Sequence, residues 1–111
     1  MKNNEIELNI SKKAKDKLAE LEKQHDPYLL FWYDIEGCGC GVNGIPTLRF
    51  TDQQKTNYQQ IKNKDFTVYV ENQQAIFFAK KMRLDYNKGM FRLSSPEGIL
   101  NLFISPEDII K

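Results

Sequence analysis

The segment Glu36-Gly37-Cys38-Gly39-Cys40-Gly41-Val42-Asn43-Gly44 sets both cysteines of the chain among glycines. Glycine carries a high entropic cost inside helices and strands, so such a run belongs to a connection and not to a regular element. It therefore separates an earlier stretch of regular structure from a later one. Before it, residues 28–35 are almost continuously apolar and aromatic, with Leu29, Leu30, Phe31, Trp32 and Tyr33 in succession. So short an apolar run reads as a strand covered on both faces rather than a buried helix. After it, Pro46 closes the connection, and Leu48 and Phe50 alternate with Arg49 and Thr51 as a further strand.

The rest of the chain can be read in the same terms. Ile6, Leu8 and Ile10 alternate with Glu7 and Asn9, which predicts a half-buried strand. Ser11 is a good helix N-cap, and Ala14, Leu18 and Leu21 recur at helical spacing up to about Gln24. Lys12, Lys13, Lys15 and Lys17 read as a solvated face of this helix, with a docking patch as the alternative, and His25-Asp26-Pro27 ends it. Phe66, Val68 and Val70 predict another strand, and Leu84 with Tyr86 one more. Lys88-Gly89 is a turn signal, followed by a strand through Phe91 and Leu93. Residues 94–98 read as a loop, and the apolar run from Ile99 to Ile104 ends the regular structure. Residues 75–79 fit a strand or a short helix equally well. About six strands with one clear helix near the start make an α+β chain rich in β. With 111 residues, no linker and no repeat, residues 1–111 are expected to form a single domain.

The 16 Lys+Arg nearly balance the 15 Asp+Glu, giving a net charge of +1. That argues against a nucleic-acid binder, which needs a clear basic excess to neutralise phosphates. No apolar run reaches the ~18–20 residues of a membrane span, and the first residues lack the pattern of a signal peptide. The expectation is a cytoplasmic protein whose two thiols are not a stapling disulfide.

In extended backbone Cys38 and Cys40 point the same way, and two thiolates on one side can chelate a soft metal ion. Zinc and iron–sulfur sites usually take four ligands. Two thiols and one imidazole, His25, fall short of that, so a homodimer with facing loops would have to complete the set. A tight turn shaped by Gly37, Gly39 and Gly41 with incidental cysteines is the alternative, and a redox or nucleophilic thiol is a third reading. Gly39, Gly41 and Gly44 match a dinucleotide-binding spacing, but a strand comes next where that motif requires a helix. Asp34 and Glu36 read as solvated strand-end charges. Lys80, Lys81, Arg83, Lys88 and Arg92 form a local basic excess around Asp85, either a solvated sheet face or a protein-contact surface. Phe31, Trp32, Tyr33, Phe77 and Phe78 are expected in the core. No Ser/His/Asp set, P-loop or His-x-x-His cluster is present, so no enzymatic activity is expected.

The order of these features resembles the HesB-like core domain of the A-type iron–sulfur cluster carriers. The resemblance rests on a strand and a Ser-capped helix leading into an apolar strand and a Gly-Cys loop. Leu84-Asp85-Tyr86 and Phe91-x-Leu93-x-x-Pro96 come later in the same order. It covers the chain from about Glu5 to Ile104. It implies a small, distorted β-sandwich with an N-terminal helix, and a short second helix over residues 75–80. It further implies iron or a [2Fe-2S] cluster as cargo, and partners among the proteins of iron–sulfur assembly. Cys38 matches the family's loop cysteine. The family's Cys-Gly-Cys near the C-terminus has no counterpart here, where Gly98-Ile99-Leu100-Asn101-Leu102-Phe103-Ile104 stands instead, and Cys40 is an additional thiol.

Overall fold

Period-2 alternation becomes buried strand faces over much of the structure, a computed structural model that describes residues 6–22, 28–34 and 45–110. The strands are β1 (Glu7–Ile10), β2 (Tyr28–Asp34), β3 (Ile45–Thr51), β4 (Tyr58–Ile61), β5 (Thr67–Glu71), β6 (Lys81–Asn87), β7 (Met90–Ser95) and β8 (Gly98–Ile104). The helix α1 spans Lys12–Glu22, and a one-turn helix α2 spans Pro106–Ile109. Asn72–Phe77 is a 3-10 helix.

The strands make two four-stranded sheets, ordered β1-β6-β7-β8 and β3-β2-β5-β4. Both are mixed, because β1 runs parallel to β6 and β2 parallel to β5. The sheets nearly close on each other. At one side a bridge joins Glu7 to Lys62, with Leu8 N–H donating to Lys62 O at 2.9 Å and Lys62 N–H to Ile6 O at 2.7 Å. At the other side β8 packs against β3. This is the expected distorted sandwich, and its edges are covered by each other instead of standing open for further pairing.

One buried cluster lies between the sheets. It takes Leu29 and Phe31 from β2, Leu48 and Phe50 from β3, Val68 and Val70 from β5, Met82 and Leu84 from β6, and Phe91 and Leu93 from β7. Ala14 and Leu18 of α1 join it as the helical spacing predicts, and Ile109 of α2 is fully buried. The aromatic expectations hold in part, and Trp32 and Tyr33 are only half-buried. Phe31 and Phe78 are core residues in an edge-to-face contact at 5.4 Å. Phe77 is 40% exposed, because the 3-10 helix turns it outward onto the ring of Tyr33, with centroids 3.8 Å apart.

Other departures have local causes. β4 lies in an Asn/Gln-rich stretch where only Ile61 is fully buried, so alternation is too faint to read. Residues 94–98 are not one loop: β7 continues through Ser95, and β8 starts at Gly98. Regular structure also runs past Ile104, where Ser105 caps α2 by accepting from Glu107 N–H at 3.1 Å, with Pro106 in the first turn.

The turn at Lys88-Gly89 is confirmed. It is a two-residue hairpin loop between the paired residues Asn87 and Met90, with φ of 53° at Lys88 and 83° at Gly89. Positive φ at both central residues suits the right-handed twist of the flanking strands. Nothing lies near a Cβ built on Gly89, so Gly89→Ala brings only backbone strain. The expected cost is about 1 kcal/mol, measured as a lower urea midpoint with an unchanged slope.

Candidate functional site

The segment 35–44 carries both cysteines, and its two ends are held by the sheet. Asp34 at the end of β2 pairs directly with Ile45 at the start of β3. Cys38, Cys40, Gly37, Gly39, Gly41, Glu36 and His25 lie outside the described residues. The described surroundings of the paired ends are specific. Tyr33 stacks on Phe77, and Tyr33 N–H donates to Gln74 Oε1 at 3.1 Å. Ile45 is 44% exposed.

The C-terminal strand reaches the same end of the sheet. Asn101 is the only polar side chain between Gly98 and Ser105, and it makes the connection. Its Nδ2–H donates to Pro46 O at 2.7 Å, while its Oδ1 accepts from Phe103 N–H at 3.0 Å. β8 is the segment in which the resemblance places the family's further cysteines. The fold thus brings it beside the strand that leaves the cysteine segment, joined there by the Asn101 hydrogen bond. Sequence reading did not single out Asn101, although a lone amide inside an apolar run was the available signal. Among the described residues, no three side chains of His, Cys, Asp and Glu gather as a metal site.

The Leu84-Asp85-Tyr86 motif has a structural role. Ser11 Oγ–H donates to Asp85 Oδ1 at 2.7 Å, and the same serine oxygen accepts from Ala14 N–H at 3.2 Å. A carboxylate on β6 thereby fixes the N-cap of α1, which orients the helix on the sheet. The Ser11 hydroxyl holds the Asp85 carboxyl below the ordinary carboxylate range. Partial burial opposes this, while the Tyr86 N–H, then Arg83 and Arg92, add to it. A depressed carboxyl contributes stability that is present above its unfolded pKa of ~3.9 and is lost as pH falls through the lower folded value. Ser11→Ala is expected to cost about 1 kcal/mol at pH 7. Asp85→Asn should fall below the native chain at pH 7, with the gap closing below about pH 4. Urea denaturation at pH 7 and pH 3 checks both, and a gap independent of pH would refute the assignment.

The five basic residues are only partly brought together. Lys81 and Arg83 alternate outward on β6, and Arg92 on β7 is paired with Asp85, so these three share the exposed face of one sheet. Arg83 Nη2 lies 3.8 Å from Asp85 Oδ2. Lys88 sits in the hairpin turn, and Lys80 lines a separate cavity with Ile6 and Phe78.

A two-sheet α+β sandwich, with its cysteine segment between β2 and β3 and its C-terminal strand alongside, defines a HesB-like protein. The chain belongs to the iron–sulphur cluster biosynthesis family, which residues 6–104 match. It is 34% identical over 71 residues to the uncharacterized protein YqkB of Bacillus subtilis, 62% of this chain and 66%, just under two thirds, of that one. The fold is similar to that of a Lactobacillus acidophilus protein assigned to Fe-S biosynthesis, with TM-score 0.71 and 22% identity over 90% of this chain and 87% of that one. It is also similar to IscA with the [2Fe-2S] cluster, with TM-score 0.61 and 14% identity over 88% and 98%. Escherichia coli SufA gives TM-score 0.63 and 14% identity over 83% and 82%. No helix among the described residues is long and apolar enough to cross a membrane.

Proposed function

We propose that the protein takes up iron or an iron–sulfur cluster as cargo on Cys38 and Cys40 and passes it on within cluster assembly, without catalysing a reaction. The observation that carries this reading is the family match over residues 6–104, which spans the cysteine segment. Two thiols per chain fall short of the usual four ligands, so a second copy of the chain completes the site. An incomplete site on a loop suits cargo that must be released better than a closed structural site would. The partners are then proteins of iron–sulfur assembly, and the setting is the cytoplasm. Anaerobic reconstitution with ferrous iron and sulfide tests this, with visible absorption and elution volume read together.

The exposed face shared by Lys81, Arg83 and Arg92 favours a second reading: a metal-free module that binds an acidic protein surface on the same fold. On that reading, reconstitution leaves a colourless protein, and partner capture survives loss of both cysteines.

A further inference from the structure

The face of the β3-β2-β5-β4 sheet turned away from the core carries an unassigned cavity of about 180 Å³. Leu29 and Phe31 point into the core, so Leu30 and Trp32 of β2 point the other way. Leu30 is nonetheless only 6% exposed, and it pairs with Arg49 on β3 and Tyr69 on β5. Residues between β3 and β4 help to wall this face. Gln54 Nε2–H donates to Tyr69 Oη at 2.7 Å, and the carbonyl of Lys55 accepts from Tyr58 N–H at 3.0 Å. Lys55, Tyr58 and Arg49 line the cavity together with Trp32.

The lining carries two cations, Arg49 and Lys55, against one carboxylate, Glu71. The Arg49 guanidinium lies over the Trp32 ring, 5.1 Å from its centroid, which limits its freedom while leaving its planar fork of donors available. Among the described residues neither Arg49 nor Lys55 forms an ion pair. The Trp32 indole N–H is buried without an acceptor among them, a condition native structures rarely leave uncompensated. Two of the acceptor groups at the cavity each hold a hydrogen bond. Glu71 Oε2 accepts from Asn57 Nδ2–H at 2.9 Å, and Gln74 Oε1 accepts from Tyr33 N–H at 3.1 Å. Two cations and an orphan N–H, against one carboxylate and beside the nearly fully buried Leu30, favour a ligand rich in acceptors and negative charge. A space of this size accommodates a small carboxylate or phosphate.

The geometry points to this cavity as a binding site for a small oxyanion of charge −2, a dicarboxylate or a phosphate, held by the Trp32-stacked Arg49 and by Lys55. No cysteine is among the lining residues, so the proposal can be tested on metal-free protein. Trp32 is the only tryptophan of the chain and therefore its own reporter. Full-length protein is titrated with succinate and with inorganic phosphate at constant ionic strength, with sodium chloride as control. Tryptophan emission and thermal midpoint are both followed. The expected result is a saturable change in emission and a midpoint that rises with ligand concentration, for one or both anions. Which anion saturates identifies the source. Arg49→Gln and Lys55→Gln should each weaken binding at least ~10-fold, whereas Glu71→Gln should tighten it by removing like charge. Two variants guard against a local folding defect in either one. A response equalled by chloride, or affinity retained in both Arg49→Gln and Lys55→Gln, overturns the proposal.

Discussion

Cys38→Ser and Cys40→Ser are each expected to abolish the visible absorption that the native chain acquires on reconstitution with ferrous iron and sulfide. The native chain should elute as a dimer when loaded. The reason is ligand arithmetic. Cluster irons are held by thiolates, and two chains with two thiols each supply the usual four. Serine supplies a hard oxygen that is protonated at neutral pH, so either substitution removes two of those four ligands from the symmetric pair. Bound iron per chain should fall at least ~10-fold in both variants, the lower bound of what disturbing even an outer-shell partner typically costs in metal affinity. Loading should also weaken as pH is lowered, because the ligand is the thiolate and the free thiol pKa is ~8.5. Iron content unchanged in both variants would refute the assignment. A colourless monomer in all three samples would refute iron–sulfur cargo itself and favour the metal-free module.

The largest expected effect on folding is at Phe31. It is fully buried in β2, flanked by Leu48 on β3 and Val70 on β5, and it meets Phe78 edge to face. Phe31→Ala removes this packing and leaves a cavity that two paired neighbours prevent from collapsing, at a cost of about 3–5 kcal/mol. A domain of this size is stable by only about 5–15 kcal/mol, so the variant should be partly unfolded or strongly shifted in urea. Phe77→Ala is the contrast. Phe77 is 40% exposed and rests on Tyr33 alone among the described aromatic contacts, so about 1 kcal/mol is expected. Equal losses at the two positions would mean that the core is misplaced.

The candidate site was legible in part. The glycine–cysteine segment could be recognised because no regular element accommodates it, and the order of motifs placed the chain in its family. The Asp85–Ser11 link was half visible: Ser11 reads as an N-cap, but nothing local shows that a carboxylate 74 residues away accepts from it. Asn101 and the lining of the Trp32 cavity were not legible. Their significance comes from partners on other strands, and a polar residue next to an apolar one looks the same whether it faces solvent or a buried carbonyl. Of the five basic residues, strand alternation put Lys81 and Arg83 on one face, while the hairpin turn and the start of β6 sent Lys88 and Lys80 elsewhere.

Sequence by itself determined most of the strands, though not β4 or the ends of β7 and β8 that meet at residues 95–98, and it determined where α1 starts and where the Lys88-Gly89 hairpin turns. Those outcomes depend on side-chain period, capping and φ preference within a few residues. Tertiary structure decided which strands pair, for β1 lies parallel to β6 and β2 parallel to β5 across long intervening segments. It also decided that the two sheets meet at Lys62 and again where Asn101 reaches Pro46. Such choices minimise the apolar surface and unpaired backbone of the whole chain at once, and no local window of residues contains that sum.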